Sequence, residues 1–337
     1  MSRLQVKRRT AAGWVGLLLG ALLFSALVAC HGDVPQRLLR VGLSEEPRTL
    51  NVWLASDANS RKILTQVYQP LYSRHPETLK LIPWLAAQDP VYDKENISYT
   101  VKLRHAKWAD GSDFTADDVV FTGEIIKEFK IPRYSSKWNA IKKIETPDDH
   151  TVIFYLNKPT AVFLSRALTA PMVSRKEWDA VAKAAKKNEK PLRSLQNHEI
   201  SNPMGTGPFV VKDYKSGAYL HMVRNPYFFG SGKKIGGHLL GPYVDGILFK
   251  FYGTSDVAVL ALKKGNIDMF WWGLQPGYLD DLQKTADVQV FHNQKSALYY
   301  MGFNLRKPPF DDVVLRQAIA TIIDKDFIIS RILQGYG

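Results

Sequence analysis

The stretch Ala106-Lys-Trp-Ala-Asp-Gly-Ser-Asp-Phe-Thr-Ala-Asp-Asp-Val-Val-Phe121 runs from a turn into a capped helix, and the rest of the fold is read outward from it. Asp110-Gly111 signals a tight turn. Thr115 stands as an N-cap with Asp118 answering three residues later, a variant of the capping box, and Phe121, Ile125 and Phe129 recur every four residues. Just upstream, Ile97, Tyr99, Val101 and Leu103 alternate with Ser98, Thr100, Lys102 and Arg104, the period of a strand with one buried face. Downstream, Asp148-Asp149-His150 turns the chain into Thr151–Leu156, where Val152, Phe154 and Leu156 share a face. Pro159 and Pro171 confine Ala161–Ala170 to a short helix at best. The cation-rich segment from Arg175 to Arg193 reads as a solvated helix and loop. Arg40-Val-Gly-Leu-Ser44 opens the folded region as a strand.

The 337 residues allow two or three domains with real cores, and 45% hydrophobic with 23% charged residues is a globular composition. Lys and Arg exceed Asp and Glu by 13, a surplus too diffuse to argue nucleic-acid binding. The single cysteine excludes an internal disulfide and a thiolate metal site. Cys30 closes the uncharged run Ala11–Ala29, behind Arg3, Lys7, Arg8 and Arg9. Leu27-Val-Ala-Cys30 resembles the lipobox of bacterial lipoproteins, in which the cysteine is lipidated and becomes the first mature residue. An uncleaved anchor, an ordinary signal peptide and a core helix compete with that reading, and all but the last place the remaining chain outside the cytoplasm. Arg8-Arg9 lacks the context of a twin-arginine signal, and the polar residues after Cys30 read as a tether.

Local catalytic signatures are missing. The eight histidines are at least 17 positions apart, which excludes a His-Glu-x-x-His pair. Gly230-Ser-Gly-Lys-Lys-Ile-Gly-Gly237 imitates a phosphate loop, but Ile235 stands where glycine is needed, and the segment reads as a flexible surface turn. No Gly-x-Ser-x-Gly elbow occurs. Asp110, Asp117 and Asp118 form the one suggestive carboxylate cluster, the basis of an alternative reading as a surface lipoprotein hydrolase. Aromatic residues stand beside turns: Tyr134 and Trp138 around Ser135-Ser136, Trp271-Trp272 before Gly273, and Tyr299-Tyr300 ahead of Asn304. Rings so placed can cover an extended ligand, and they can equally be core.

A collinear set of motifs runs from about Leu39 to the end of the sequence. It comprises Gly42-Leu-Ser-Glu-Glu-Pro-Arg-Thr-Leu-Asn51, the Ala106–Phe121 stretch, Asn202-Pro-Met-Gly-Thr-Gly-Pro-Phe209, Arg224-Asn-Pro-Tyr-Phe228, Leu262-Lys-Lys-Gly-Asn-Ile-Asp268, and Phe303-Asn304 with Pro309-Phe-Asp-Asp-Val-Val-Leu-Arg-Gln-Ala-Ile319. Each has a local reading. Gly205-Thr-Gly-Pro208 suits a sharp turn in which glycine takes positive φ, Asn225-Pro226 turns between strands, and Asp311-Asp312 places acidic charge at the start of a helix from Val313 to Ile323, favourable for its macrodipole, with Ile319 and Ile323 on one stripe.

Together the set resembles the bacterial extracellular solute-binding proteins of family 5, the oligopeptide- and dipeptide-binding components of ABC importers. The resemblance implies a two-lobed α/β fold of the type II periplasmic-binding-protein kind, with an extra small domain inserted. Mapped here, it gives a lipoprotein signal peptide at 1–29, a tether at 30–37, a first lobe at 38–72 and 174–274, an inserted domain at 73–173, and a second lobe beginning at 275. The implied protein is not an enzyme and uses no cofactor. It is a monomer tied to the membrane at Cys30, does not bind nucleic acid, and passes captured peptides to the importer's permease subunits. The implied ligand contacts are Glu45, Glu46 and Thr49, then Tyr134 and Trp138, then Tyr299, Tyr300 and Asn304, with Trp271 and Trp272 as further candidates. Relatives continue beyond the point matching Gly337, and the acidic residue that meets a peptide's amino terminus lies in that further part. The 337 residues therefore read as a fragment or as a truncated protein with an incomplete second lobe. A sensor, or a receptor for nickel, haem or an oligosaccharide, fits the same class. Replacing Cys30 with serine is expected to abolish lipidation, seen as loss of the protein from the membrane fraction; unchanged fractionation with an intact N-terminus would instead mean an uncleaved anchor.

Overall fold

The strand Leu38–Leu43 lies inside a five-stranded sheet, between Gly246–Phe251 and Met269–Phe270, and runs parallel to both. A strand with neighbours on both sides needs apolar residues on both faces, and Val41, Gly42 and Leu43 are all buried. Beyond Gly246–Phe251 the sheet continues antiparallel through Tyr219–Arg224 to Phe209–Lys215. At the other edge Asp268 accepts three hydrogen bonds from Arg40, one from its backbone N–H (2.7 Å) and two from its guanidinium (2.5 and 3.0 Å), which fixes the register of the short last strand. The computed structural model describes residues 37–270, 274–291 and 300–335. Cys30, Trp271, Trp272 and Tyr299 lie outside the described residues.

A second sheet of four antiparallel strands, in the order Val91–Asp93, Ser98–Lys102, Thr151–Leu156, Ile141–Asp148, is built wholly from residues between 91 and 156. Val101, Val152, Phe154 and Leu156 are buried as their alternation demands. Helix Ala116–Glu128 packs on this sheet through Val119, Phe121, Ile125 and Ile126. The capping box read from Thr115 and Asp118 is formed. Asp118 does more than cap: its carboxylate accepts from Thr115 N (3.1 Å), Trp108 Nε1 (3.1 Å) and Arg175 N (2.9 Å), so it also holds the start of helix Arg175–Lys186. That helix is solvated on one side only, since Trp178, Ala182 and Ala185 are buried. Helix Phe163–Arg166 is the short one that the flanking prolines allow.

The chain runs outward at Gln69–Tyr72 and back at Leu168–Met172 in adjacent paths, joined by Met172 N to Gln69 O and Tyr72 N to Leu168 O, both 3.0 Å. Against this crossing lies Gly205-Thr-Gly207. Positive φ is expected at these glycines, and neither adopts it. Their requirement is space. A Cβ at Gly205 would stand 1.9 Å from Val67 O, and one at Gly207 2.2 Å from Gln66 O. Backbone therefore meets backbone, with Gly207 N donating to Val67 O (2.8 Å) and Asn225 Nδ2 to Gly207 O (2.8 Å). The Gly230–Gly237 segment also departs from expectation: Lys234–Ile235 pairs with His238–Leu239 in a hairpin turned by Gly236 and Gly237 at positive φ, with Ile235 buried.

Buried side chains from Val41 to Phe249 form one continuous core. Beyond it, Leu279 and Leu282 are buried, and helix Val313–Ile322 is capped by Asp312, which accepts from Val314 N (2.7 Å). Leu315, Ile319 and Ile323 form its half-buried stripe, while Val313, Val314 and Ile322 are exposed. Replacing Gly205 with alanine is expected to cost more than about 2 kcal/mol of stability, whereas the same change at Gly277 should stay within about 0.5 kcal/mol. Chemical denaturation of the two variants checks this.

Candidate functional site

The loop after the first strand, residues 44–57, is held by Asn51, whose importance only the structure reveals. Its side chain is buried, with Nδ2 at 2.9–3.1 Å from the carbonyl oxygens of Leu195, Gln196 and His198, while Oδ1 accepts from Trp53 N (2.9 Å). The only signal in the sequence is its place at the end of the first motif. Fixed by that anchor, the Trp53 ring meets Trp178 edge-on at 5.9 Å and Tyr134 at 6.4 Å. The first motif and the Tyr134 segment, some 80 residues apart in sequence, are thereby brought together.

The remaining expected contact residues have different fates. Glu46 is committed to structure: it accepts from Tyr214 OH (3.0 Å), Ser216 Oγ (3.1 Å) and Gly217 N (2.8 Å), clamping the loop to a hairpin turn. The Gly217 amide first, then the two hydroxyls, hold its carboxyl below the usual range. Glu45 is exposed, and its carbonyl accepts from Asn59 Nδ2 (2.9 Å). Thr49 accepts from Asn51 N through Oγ1 (2.9 Å). Trp138 requires correction: it is fully buried, donates from Nε1 to Ala167 O (3.1 Å) and packs edge-on against Phe154, so it is core and offers no surface to a solute. Tyr300 is 81% exposed, and Asn304 caps a turn by accepting from Arg306 N (3.2 Å). No hydrogen bond or ring contact joins either of them to the loop or to Tyr134 among the described residues.

Beside Tyr134 lies a cavity of about 250 Å³ whose lining includes the apolar Val52, Ala55 and Leu64 and the polar Arg61, Arg133 and Tyr134. A larger groove of about 860 Å³ runs between helices Arg175–Lys186 and Pro191–Gln196, and no expected site residue lines it. Tyr68, also on the smaller cavity, donates to Glu177 Oε2 (3.3 Å), while Met204 N donates to Oε1 (2.8 Å). Burial pushes the Glu177 carboxyl up to about 7 against these hydrogen bonds. Nothing in the charged run of sequence around Glu177 marks it out.

The carboxylates of the alternative reading are occupied. Burial would raise the Asp110 carboxyl, but Lys176 (2.6 Å) and Ser112 hold it at about 2. Asp117 pairs with Arg175 at 2.5 Å, and Asp118 caps two helices. One His-Glu-His group has spacing compatible with a metal: His75, Glu77 and His238. His75 Nε2 faces Gly236 O (2.9 Å) and its Nδ1 accepts from Glu77 N and Thr78 N (3.2 Å each), so both of its ring nitrogens are engaged in joining two hairpins.

A mixed sheet with a parallel first strand and a separate antiparallel sheet carried on a long excursion agree with the type II periplasmic-binding-protein fold that the resemblance implies. Residues 80–337 match the family described as bacterial extracellular solute-binding proteins, family 5. The chain belongs to that family. It is 27% identical to the oligopeptide-binding protein AppA of Bacillus subtilis, over 98% of this chain and 60% of the relative. It is also 27% identical to the dipeptide-binding protein of Escherichia coli, over 80% of this chain and 51% of the relative. Among solved structures, AppA of B. subtilis in complex with a nonapeptide superposes with a TM-score of 0.72 at 25% identity, covering 89% of this chain and 57% of that one. NikZ of Campylobacter jejuni in complex with Ni(L-His) shares the fold, with a TM-score of 0.72 at 24% identity over 90% and 56% of the two chains. The chain thus spans about 60% or less of the length of these relatives.

Glu177 gives this site a pH dependence of defined sign. The folded protein keeps a proton on Glu177 that the unfolded chain releases, so stability falls as pH rises from the ordinary carboxyl range through about 7. In Glu177→Gln that loss is removed: the stability of the variant relative to the unsubstituted protein should rise by on the order of 1–3 kcal/mol between pH 5 and 8. Denaturation at the two pH values checks it.

Proposed function

We propose that this chain belongs to the extracytoplasmic substrate-binding component of an ABC importer, capturing peptides and presenting them to a membrane permease without altering them. The family match across residues 80–337 carries the reading. The pinned loop and the cavity beside Tyr134 support it, since a partly apolar hollow with a few polar groups suits a solute, while the buried Trp53 ring backs Tyr134. In this reading the five-stranded sheet forms the core of the first lobe, residues 73–173 are the inserted domain, residues from 275 begin the second lobe, and closure between lobes traps the solute. Cys30 carries the lipid anchor, and the protein works as a monomer.

The test is equilibrium binding of a mixture of two- to five-residue peptides to the 337-residue chain, with mass spectrometry of the retained fraction. Saturable retention of intact peptide is the expected result. Retention of none, or recovery of hydrolysed fragments, overturns the proposal.

A further inference from the structure

We infer that the cavity beside Tyr134 is a carboxylate-recognition subsite, in which Arg61 and Arg133 grip the anionic end of a ligand and the apolar wall holds one amino-acid-sized group. The inference rests on the solute-binding reading and names the chemistry that the site selects.

On helix Arg175–Lys186 four cations have acidic partners. Arg175, Lys176, Lys183 and Lys186, all on one helix, pair with Asp117, Asp110, Asp179 and Glu128 at 2.5–2.6 Å. The cluster around Tyr134 is different. The Arg133 guanidinium lies 5.8 Å and Lys137 Nζ 5.9 Å from the Tyr134 ring centre, and Arg61 lies on the same cavity. None of the ion pairs among the described residues engages Arg61, Arg133 or Lys137. Arg61 and Arg133 line one cavity without an acidic partner, so an anion entering it would meet attraction from both.

The lining is also donor-selective, and no acidic side chain is on it. Thr65 and Thr169 donate to the helix carbonyls of Lys62 and Ser165. Gln69 is occupied at both ends, donating to Thr65 O and accepting from Trp84 Nε1, and Tyr68 donates to Glu177. Of the polar lining side chains, that leaves the two guanidinium groups and the hydroxyls of Tyr134 and Ser73. Burial raises the Tyr134 hydroxyl above its ordinary range, against the opposing pull of Arg133 and Arg61, so at neutral pH it remains a donor. Arg61 is oriented by its Nε, which donates to Asp57 O (3.2 Å), leaving its terminal nitrogens for a forked contact of the kind arginine makes with a carboxylate. At about 250 Å³ the cavity is below the size of a drug-sized site, which matches one residue rather than a whole peptide.

A carboxylate can arrive as a peptide's C-terminus or as a free organic acid, and calorimetry with four probes separates them: Ala-Ala-Leu, its C-terminal amide, N-acetyl-leucine and N-acetyl-leucinamide. The unsubstituted chain should bind each acid at least ten-fold more tightly than its amide. Arg133→Gln and Arg61→Gln, each checked for an unchanged melting curve, should remove that preference while leaving affinity for the amides within about two-fold. Equal binding of acid and amide, or equal weakening of both by the variants, overturns the inference. Binding of N-acetyl-leucine that depends on Arg133, without binding of either tripeptide, upholds the subsite while the peptide reading fails. Silence from all four probes overturns both.

Discussion

No side chain can stand between Val67 and Gly205. Three stretches far apart in sequence meet there, backbone to backbone: the outgoing path at Gln66–Val67, the Gly205–Gly207 segment, and Asn225, which reaches across to Gly207 O. Ala109 N also donates to Gly205 O, so the turn at the head of the capped helix is tied to the same place. The excursion through residues 73–173 leaves and returns beside this crossing. Any widening of it would separate the loop that carries Trp53 from the segment that carries Tyr134. Close packing of main chain, more than any one apolar contact, therefore sets the geometry of the candidate site.

Much of the local architecture was legible because it follows from rules of short range. Alternation gave the strands around Val101 and Phe154, and capping chemistry gave the helix that starts after Thr115. The collinear motifs gave the fold, which no local rule contains. The site was legible only in part. Tyr134 was singled out because it stands beside a turn, but the same reasoning selected Trp138, whose indole is sealed in the core. Exposure depends on what packs above a ring, and neighbouring residues do not record it. Asn51, Glu177 and Arg61 were missed for a related reason: their roles come from partners 4 to 147 positions away, two of them through carbonyl groups that every residue possesses.

The charges divide into two populations. Glu46, Asp110, Asp117 and Asp118 bind backbone amides, hydroxyls or cations and serve as fasteners of the scaffold. Arg61 and Arg133 enter no ion pair among the described residues, and they stand beside a hollow. A surface ion pair contributes little to stability, commonly about 0–1 kcal/mol, so the scaffold would lose little if those cations were paired too. Leaving them open matters for what the hollow can attract.

The placement of the first strand has a temporal side. Leu38–Leu43 is made early, yet its neighbours are Gly246–Phe251 and Met269–Phe270, more than 200 residues later. At synthesis rates of about 5–20 residues per second, the wait for the second partner is on the order of ten seconds or longer. Through that interval the central sheet has no middle and cannot close, although the sheet within residues 91–156 already has all its strands. Pairings of such long sequence separation close slowly even once both partners exist. A topology that postpones its own completion suits a molecule whose working place lies on the far side of a membrane.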